Sequence, residues 1–234
     1  MGFAARQELA GWFRRWVLRI MRLARPLAQA IPEVPDGQKV AALLAAVSAS
    51  ETKTTGIIEQ RVVDAVAASL HDIADGWRAN GIGDSVNASN VSRRKLGDCE
   101  FQNTGSRSLV AYEAHGGHLS EVYINGHVQT LRRVVPLRVE EWERVKDLDK
   151  WTFEVVFVAH SFDAQARDIE VNGAVIHLRF ETFAEFTSHS DASKLTNLFT
   201  LHVNAPLNER RTPQRVRDTY LALAMPQAPG KAVP

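Results

Sequence analysis

The stretch that decides the predicted fold is 97–117, GDCEFQNTGSRSLVAYEAHGG. Alternation at a period of two predicts one strand over 98–102 and a second over 109–115. The polar sequence Asn-Thr-Gly-Ser between them is typical of a turn, and Gly-Gly after the second strand is expected to end it. The stretch therefore predicts a β-hairpin.

Two acidic residues occupy this hairpin. Asp98 opens the first strand, and Glu113 lies near the end of the second, with His115 on the same face. The residues around Glu113 are mostly apolar, and burying a carboxylate costs free energy unless it is paired or binds a cation. Glu113 is therefore a candidate ligand or one half of a structural ion pair, and Asp98 is either a second ligand or a turn residue.

Length and composition bound the class of protein. The chain has 234 residues, of which 45% are hydrophobic and 24% charged, as expected for one globular domain with appendages. The formal net charge of +1 does not by itself indicate a nucleic-acid partner. One cysteine, Cys99, excludes an internal disulfide and fits a reducing cytoplasm. No run of about 18 apolar residues occurs, so no transmembrane segment is expected.

The N-terminal region, 1–37, is predicted to be a basic amphipathic helix followed by a proline-rich linker. Apolar residues recur at helical spacing over 7–25, with arginines among them. Such a helix packs on its own domain, lies on a membrane surface, or docks a protein partner or a second copy of the chain. Prolines and a glycine over 26–37 predict the linker.

The rest of the chain predicts a mixed α/β fold. Helical periodicity is expected over 38–48, 57–77, 118–134, 136–148 and 212–224, and the Gly/Asn/Ser-rich residues 80–97 read as a loop. The apolar run 151–160 predicts a buried strand, Asn172-Gly173 predicts a hairpin between 169–171 and 174–180, and alternation predicts a strand over 194–204. We therefore expect a core at 38–160 and a strand and helix extension at 161–234 with a frayed tail.

The order helix, hairpin, helix, strand over 51–160 resembles the PD-(D/E)XK nuclease superfamily. Its motif is an Asp followed, after a variable gap, by Asp/Glu-X-Lys, and Asp98 and Glu113-Ala114-His115 occupy those places. Thr-Gly-Ile-Ile-Glu, ending at Glu59, is similar to the start of the family's first helix. The resemblance implies a restriction-endonuclease-like core, a central mixed β-sheet flanked by helices.

The resemblance also implies an activity. Members hydrolyse DNA with Mg²⁺ or Mn²⁺, which here would be held by Asp98, Glu113 and Glu59, with His115 in the position of the catalytic lysine. Carboxylates are the ligands that such hard cations prefer. The expected function is metal-dependent DNA cleavage in restriction or another defence against foreign DNA. The alternative is a non-catalytic nucleic-acid-binding or interaction subunit, because histidine replaces the lysine.

Basic residues beside the hairpin are the candidate DNA contacts. Arg93, Arg94 and Lys95 precede it, and Arg107 follows its turn. Arginine and lysine at such positions hold phosphate backbones, although a charge run is often only a solvated loop. A separate zinc site is a weaker alternative suggested by three histidines, His115, His118 and His127, whose spacing is not specific.

Overall fold

The computed structural model describes residues 2–24, 31, 37–85, 88–209 and 211–224. The chain separates into two compact units, Met1–Ile31 and Pro32–Pro234. The first contains helix α1 (Phe3–Ala24), which confirms the predicted N-terminal helix. Most of the predicted linker and the C-terminal tail lie outside the described residues. The predicted domain boundaries after residues 37 and 160 stay predictions.

The second unit is built on one mixed sheet of six strands. They are β1 (Arg78–Asn80), β2 (Cys99–Asn103), β3 (Ser108–Leu119), β4 (Thr152–Phe162), β5 (Arg167–Val171) and β6 (Ala174–Thr182). Their order is β1-β2-β3-β4-β6-β5. Strands β3, β4 and β6 are parallel, and the other neighbouring pairs are antiparallel. The predicted mixed α/β class, with helices flanking a central mixed sheet, is confirmed.

Nine α-helices of the described residues belong to this second unit. The longer ones are α2 (Gly37–Ala49), α3 (Ile57–Leu70), α5 (Glu121–Val134), α8 (Ala192–Phe199) and α10 (Gln214–Ala224). The shorter ones are α4 (Asn90–Arg93), α6 (Val139–Glu143), α7 (Phe183–Ser188) and α9 (Ala205–Asn208). Because β3 and β4 are parallel neighbours, α5 serves as the crossover between them.

Both faces of the sheet are covered. On one face, Leu109 and Ala111 of β3 join a buried core with Phe157 of β4 and Leu131 of α5. Tyr112 leaves β3 on the opposite face, because side chains alternate along a strand. Its ring contacts Phe186 of α7, with ring centroids 5.3 Å apart. Strand β3 is therefore held between two layers of helices, which fixes the position of the residues at its end.

Two predicted boundaries are wrong at glycines. The predicted end of the second hairpin strand at Gly116-Gly117 is instead a bulge, after which β3 continues to Leu119 beside β4. Gly117 has φ +92°, a conformation that glycine adopts without strain. The helix predicted over 57–77 ends at Leu70, and β1 begins shortly after Gly76, which also has positive φ.

The strand predicted over 194–204 is wrong, because this segment is helical. Phe199, Leu201 and Val203 alternate in sequence, yet Leu201 is 60% exposed. The residues that are buried are Leu195, Phe199 and Val203, at steps of four. A step of four is a helical period, so the segment forms α8 and a π-helical turn.

Among the described residues, no helix is long and apolar enough to cross a membrane.

Candidate functional site

A cavity of about 640 Å³ opens at the end of the β2–β3 hairpin opposite its turn. Asp98, Glu113 and His115, the three residues predicted to be catalytic, all line it. Further walls come from the start of α3, from the segment leading into α4, and from one side of α5. The structure therefore brings the predicted catalytic residues together in one space.

Asp98 lies beside the end of β3 that carries Glu113. The last residue pair of the hairpin is Cys99 with Tyr112, and the backbone N–H of Asp98, just outside this pair, also donates to the carbonyl oxygen of Tyr112 at 2.8 Å. Asp98 is close enough to Glu113 for the charge of Glu113 to raise its pKa. A Cβ at Gly97 would lie 2.5 Å from the carbonyl oxygen of Tyr112, so this close approach requires glycine.

Asp98 has few donors for its charge. The backbone N–H of Ala114 donates to its Oδ2 at 3.0 Å. Burial, and then the negative charge of Glu113, raise the pKa of Asp98 well above its usual range, and Lys95 opposes this only weakly. Two carboxylates in one poorly solvated space repel each other, so a bound cation would stabilise the ionised form of Asp98.

Glu113 is held by side chains of α5. Tyr123 donates its hydroxyl to Oε1 at 2.8 Å, and Nδ1 of His127 lies 3.4 Å from the same oxygen. Burial acts to raise the pKa of Glu113, but the charge and hydrogen bond of His127 outweigh it, so the pKa is lowered. At Oε2 the contact is a long one, 3.4 Å from Nδ2 of Asn90. Oε1 is therefore occupied, and Oε2 is available to a ligand.

His115 stands beside this pair. It is half-buried, and its ring contacts that of Tyr123 with centroids 4.3 Å apart. Burial lowers the pKa of His115 below its ordinary value, and the nearby carboxylate of Glu113 only partly offsets this. The imidazole is therefore neutral at pH 7 and can accept a proton.

Glu59, the third predicted ligand, does not line the cavity. Its Oε1 accepts from the backbone N–H of Thr52 at 2.8 Å, and its Oε2 accepts from the hydroxyls of Thr52 and Thr54 at 2.9 and 3.2 Å. The carboxylate is fully buried. Since both oxygens already have donors within this loop, we remove Glu59 from the ligand set and assign it a structural role.

Lys95, one of the predicted DNA contacts, is buried rather than exposed. Its ammonium donates to Oδ2 of Asp84 at 3.0 Å and to the backbone carbonyl of Asp98 at 2.5 Å. With 1% of the side chain exposed, it cannot reach a phosphate without breaking these bonds. Lys95 instead supports the backbone on which Asp98 lies, and its assignment as a DNA contact is withdrawn.

The other predicted DNA contacts are exposed but dispersed. Arg93 and Arg94 border a separate cleft of about 370 Å³, together with Arg138 of the segment before α6. Arg107 lies in the hairpin turn, six residues along the chain from Glu113, or about 20 Å at the rise of a strand. The structure therefore places Arg107 far from the cavity.

Three cavity residues escaped the sequence reasoning. Gln60 is 2% exposed, and its Nε2 has no hydrogen-bond partner in the described part of the chain. The buried Oδ1 of Asn90 likewise has none there. Arg133 lines the cavity from the last turn of α5. Arg133 could have been predicted, because it lies on the same side of α5 as Tyr123, Gly126 and Thr130. No signal in the sequence marks Asn90.

The oxygen donors of the cavity fit a hard cation. Within the described ranges, no three His, Cys, Asp or Glu side chains converge as a metal site. Asp98 and Glu113 nevertheless supply two carboxylates, and the unpartnered Oδ1 of Asn90 supplies an amide oxygen. Carboxylate and amide oxygens suit Mg²⁺, which keeps several waters in its coordination sphere.

The sequence matches no protein-family model and no curated protein.

Proposed function

We propose that this protein is a metal-dependent endonuclease that hydrolyses phosphodiester bonds of DNA. The observation that carries the proposal is that Asp98 and Glu113 line one cavity, where Asp98 accepts from a single backbone donor and the charge of Glu113 raises its pKa. With Asn90, they would hold Mg²⁺ or Mn²⁺. Such a cation supplies charge stabilisation for a phosphodiester attacked by water.

The chain's own residues supply the remaining functions. His115, neutral and on the cavity wall, accepts a proton from the attacking water. Tyr123 and His127 orient the carboxylate of Glu113 from α5. His115 and the carboxylate of Glu113 therefore have different functions, and a substitution can remove either one without removing the other.

Donors on the cavity wall suit a phosphate. The guanidinium of Arg133 provides a charge-assisted hydrogen bond to phosphate oxygens, and Nε2 of Gln60 is a buried donor with no acceptor among the described residues. Arg93 and Arg94, at the separate cleft, would contact the DNA backbone further from the cavity.

The order of elements supports the same proposal. Helix α3, the β2–β3 hairpin, α5 and β4 follow one another as in the PD-(D/E)XK superfamily, with acids at the two hairpin positions. By this resemblance we place the activity in restriction or another defence against foreign DNA. The unpaired, buried thiol of Cys99 is compatible with a cytoplasmic setting.

A cleavage assay tests the proposal. Plasmid and single-stranded DNA are incubated with the wild type and with Asp98→Asn and Glu113→Gln, in Mg²⁺ or Mn²⁺ and in EDTA. The wild type is expected to cut only with metal, and each variant to cut about 1000-fold more slowly, since a metal supplies several kcal/mol of stabilisation. Asp163→Asn, whose side chain is 93% exposed, is the matched control and should cut normally.

Two outcomes would overturn the assignment. Cleavage by Asp98→Asn and Glu113→Gln at the wild-type rate would show that another site, or a contaminant, cuts the DNA. The second is DNA binding without cleavage by any form, which would favour the alternative of a non-catalytic binding or interaction subunit.

A further inference from the structure

Helix α1 exposes an unusual number of large apolar side chains. Those between 44% and 74% exposed are Phe3, Leu9, Trp12, Phe13, Trp16, Leu18, Ile20 and Met21. A contiguous apolar surface of this kind on a protein marks an interaction site. The helix therefore has a function that the hairpin cavity does not explain.

Four of these residues form one continuous stripe. Leu9, Phe13, Trp16 and Ile20 follow at steps of four, three and four, which keeps them on one side of a helix. Trp12 lies one turn before Trp16, and their rings stack with centroids 6.4 Å apart. The stripe is thus broadened by aromatic rings, which favour the boundary between water and lipid headgroups.

The charged residues of α1 are mostly positive. Within Phe3–Ala24 the sequence contains five arginines and one acidic residue, Glu8. At 3.6 residues per turn, Arg15 and Arg19 lie along the edge of the stripe on the side of Trp12, and Arg14 lies on the opposite side of the helix. A helix whose aromatic stripe is bordered by arginines matches the pattern of helices that lie in a membrane interface.

We propose that α1 binds the surface of an anionic lipid bilayer, with Trp12, Phe13 and Trp16 inserted at the headgroup boundary. At 22 residues it is about 33 Å long, but its arginines prevent it from spanning the hydrocarbon layer, and no described helix meets the requirements of a span. Anionic headgroups complement the positive charge of the arginines.

A second copy of the chain fits this surface less well. Two copies of α1 packed along the stripe would bring the arginines of both helices together, whereas paired helices place opposite charges beside their seam. The stripe is also wider than a two-position seam, since Trp12 lies beside it. Charge and shape therefore favour lipid over self-association.

Vesicle flotation tests this proposal with the full chain. Vesicles of phosphatidylcholine alone and of phosphatidylcholine with phosphatidylglycerol at 3:1 are compared in EDTA and without DNA. The wild type is expected to float with the anionic vesicles, to float much less with neutral ones, and to dissociate as salt is raised. Because no cleavage is measured, failure here does not bear on the endonuclease proposal.

Two matched substitutions locate the contact. Trp16→Gln and Leu18→Gln remove side chains that are 49% and 48% exposed, without changing charge, but only Trp16 lies in the stripe. Trp16→Gln is expected to weaken binding by about tenfold, in line with the burial of one large apolar side chain, and Leu18→Gln far less. Asp98→Asn should float like the wild type.

Three results would overturn the proposal. They are equal binding to neutral and anionic vesicles, equal effects of Trp16→Gln and Leu18→Gln, and no flotation at all. If flotation is absent and gel filtration shows a dimer that Trp16→Gln dissociates, the stripe is an interface between copies of this chain.

Discussion

Glu100 and Asp98 lie two residues apart on the same edge of the hairpin, and the protein treats their charges differently. Glu100 is buried, but Nη1 of Arg138 donates to its Oε1 at 2.5 Å, the N–H of Leu96 donates to Oε2 at 2.9 Å, and Asn80 donates to Oε1. Its charge is compensated by groups of the protein itself.

Asp98 faces Glu113 instead of an arginine. One backbone N–H, from Ala114, donates to it, and the pKa of Asp98 is raised by burial and by the charge of Glu113. Burial of an acid therefore does not identify a site in this protein. What distinguishes Asp98 from Glu100 is the shortage of donors, which a cation would correct.

The largest expected change in unfolding free energy comes from removing the arginine that pairs with Glu100. Arg138→Ala leaves Glu100 buried without its cation, and we expect the free energy of unfolding to fall by about 4 kcal/mol. The control is Arg144→Ala, which breaks an exposed pair with Glu140 and should change it by less than about 0.5 kcal/mol. Urea denaturation measures the unfolding free energy of both variants. Similar losses in the two would show that the buried Glu100 does not depend on Arg138 more than the exposed Glu140 depends on Arg144.

Asp64 has fewer donors for its charge than Glu100 but, unlike Asp98, it pairs with an arginine. It pairs with Arg61, yet its Oδ1 has no partner among the described residues, and burial, opposed by Arg61, raises its pKa to about 6. Because the folded pKa exceeds the ordinary value, the folded state binds the proton more tightly. The resulting stabilisation is complete below pH 4 and is lost as the pH rises through 6.

A pH comparison tests this intermediate case. Between pH 4 and pH 7, in EDTA, the unfolding free energy of the wild type should fall by about 2 kcal/mol more than that of Asp64→Asn. Asparagine does not titrate, so the variant lacks this contribution. Identical changes in the two proteins would show that Asp64 keeps an ordinary pKa.

Glu59 should behave as a compensated acid and not as a ligand. Glu59→Gln disrupts its hydrogen bonds with Thr52 and Thr54, and we expect a loss of about 2 kcal/mol in unfolding free energy. Cation binding and DNA cleavage by the folded variant should be unchanged. Loss of cation binding at full stability would return Glu59 to the ligand set.

The smallest effect is expected at Tyr123. Tyr123→Phe removes the hydroxyl that donates to Glu113 while keeping the ring, so unfolding free energy should fall by about 1 kcal/mol. His127 continues to hold the same oxygen of Glu113. An unchanged unfolding curve would mean that this hydrogen bond contributes nothing to the stability of the folded protein.

The hairpin was predictable because its signals are local. Alternating residues and a four-residue polar turn determine which residues pair, and that pairing brings Asp98 beside the end of β3 that carries Glu113. Glu59 was misplaced because the direction of its carboxylate depends on Thr52 and Thr54, whose loop shape has no signature in the sequence. Lys95 was misplaced for a similar reason, since its burial depends on contacts with Asp84.

The cavity was predictable only in part. Asn90 reaches it from a segment read as a loop, and Gln60 reaches it because α3 packs on the face of the sheet that Tyr112 occupies. Both placements depend on how distant elements pack, which a local pattern does not contain. The segment over 194–204 shows the same limit, because its alternation suggests a strand although its buried residues follow a helical period.

Calorimetric titration with Mn²⁺ tests the central claim most directly. The wild type, Asp98→Asn, Glu113→Gln and the exposed control Asp163→Asn are titrated after treatment with EDTA and dialysis. We expect a saturable site in the wild type and in Asp163→Asn, and at least about tenfold weaker binding in the other two variants. No binding by the wild type, or unchanged binding by Asp98→Asn, would contradict the claim that this cavity holds a cation.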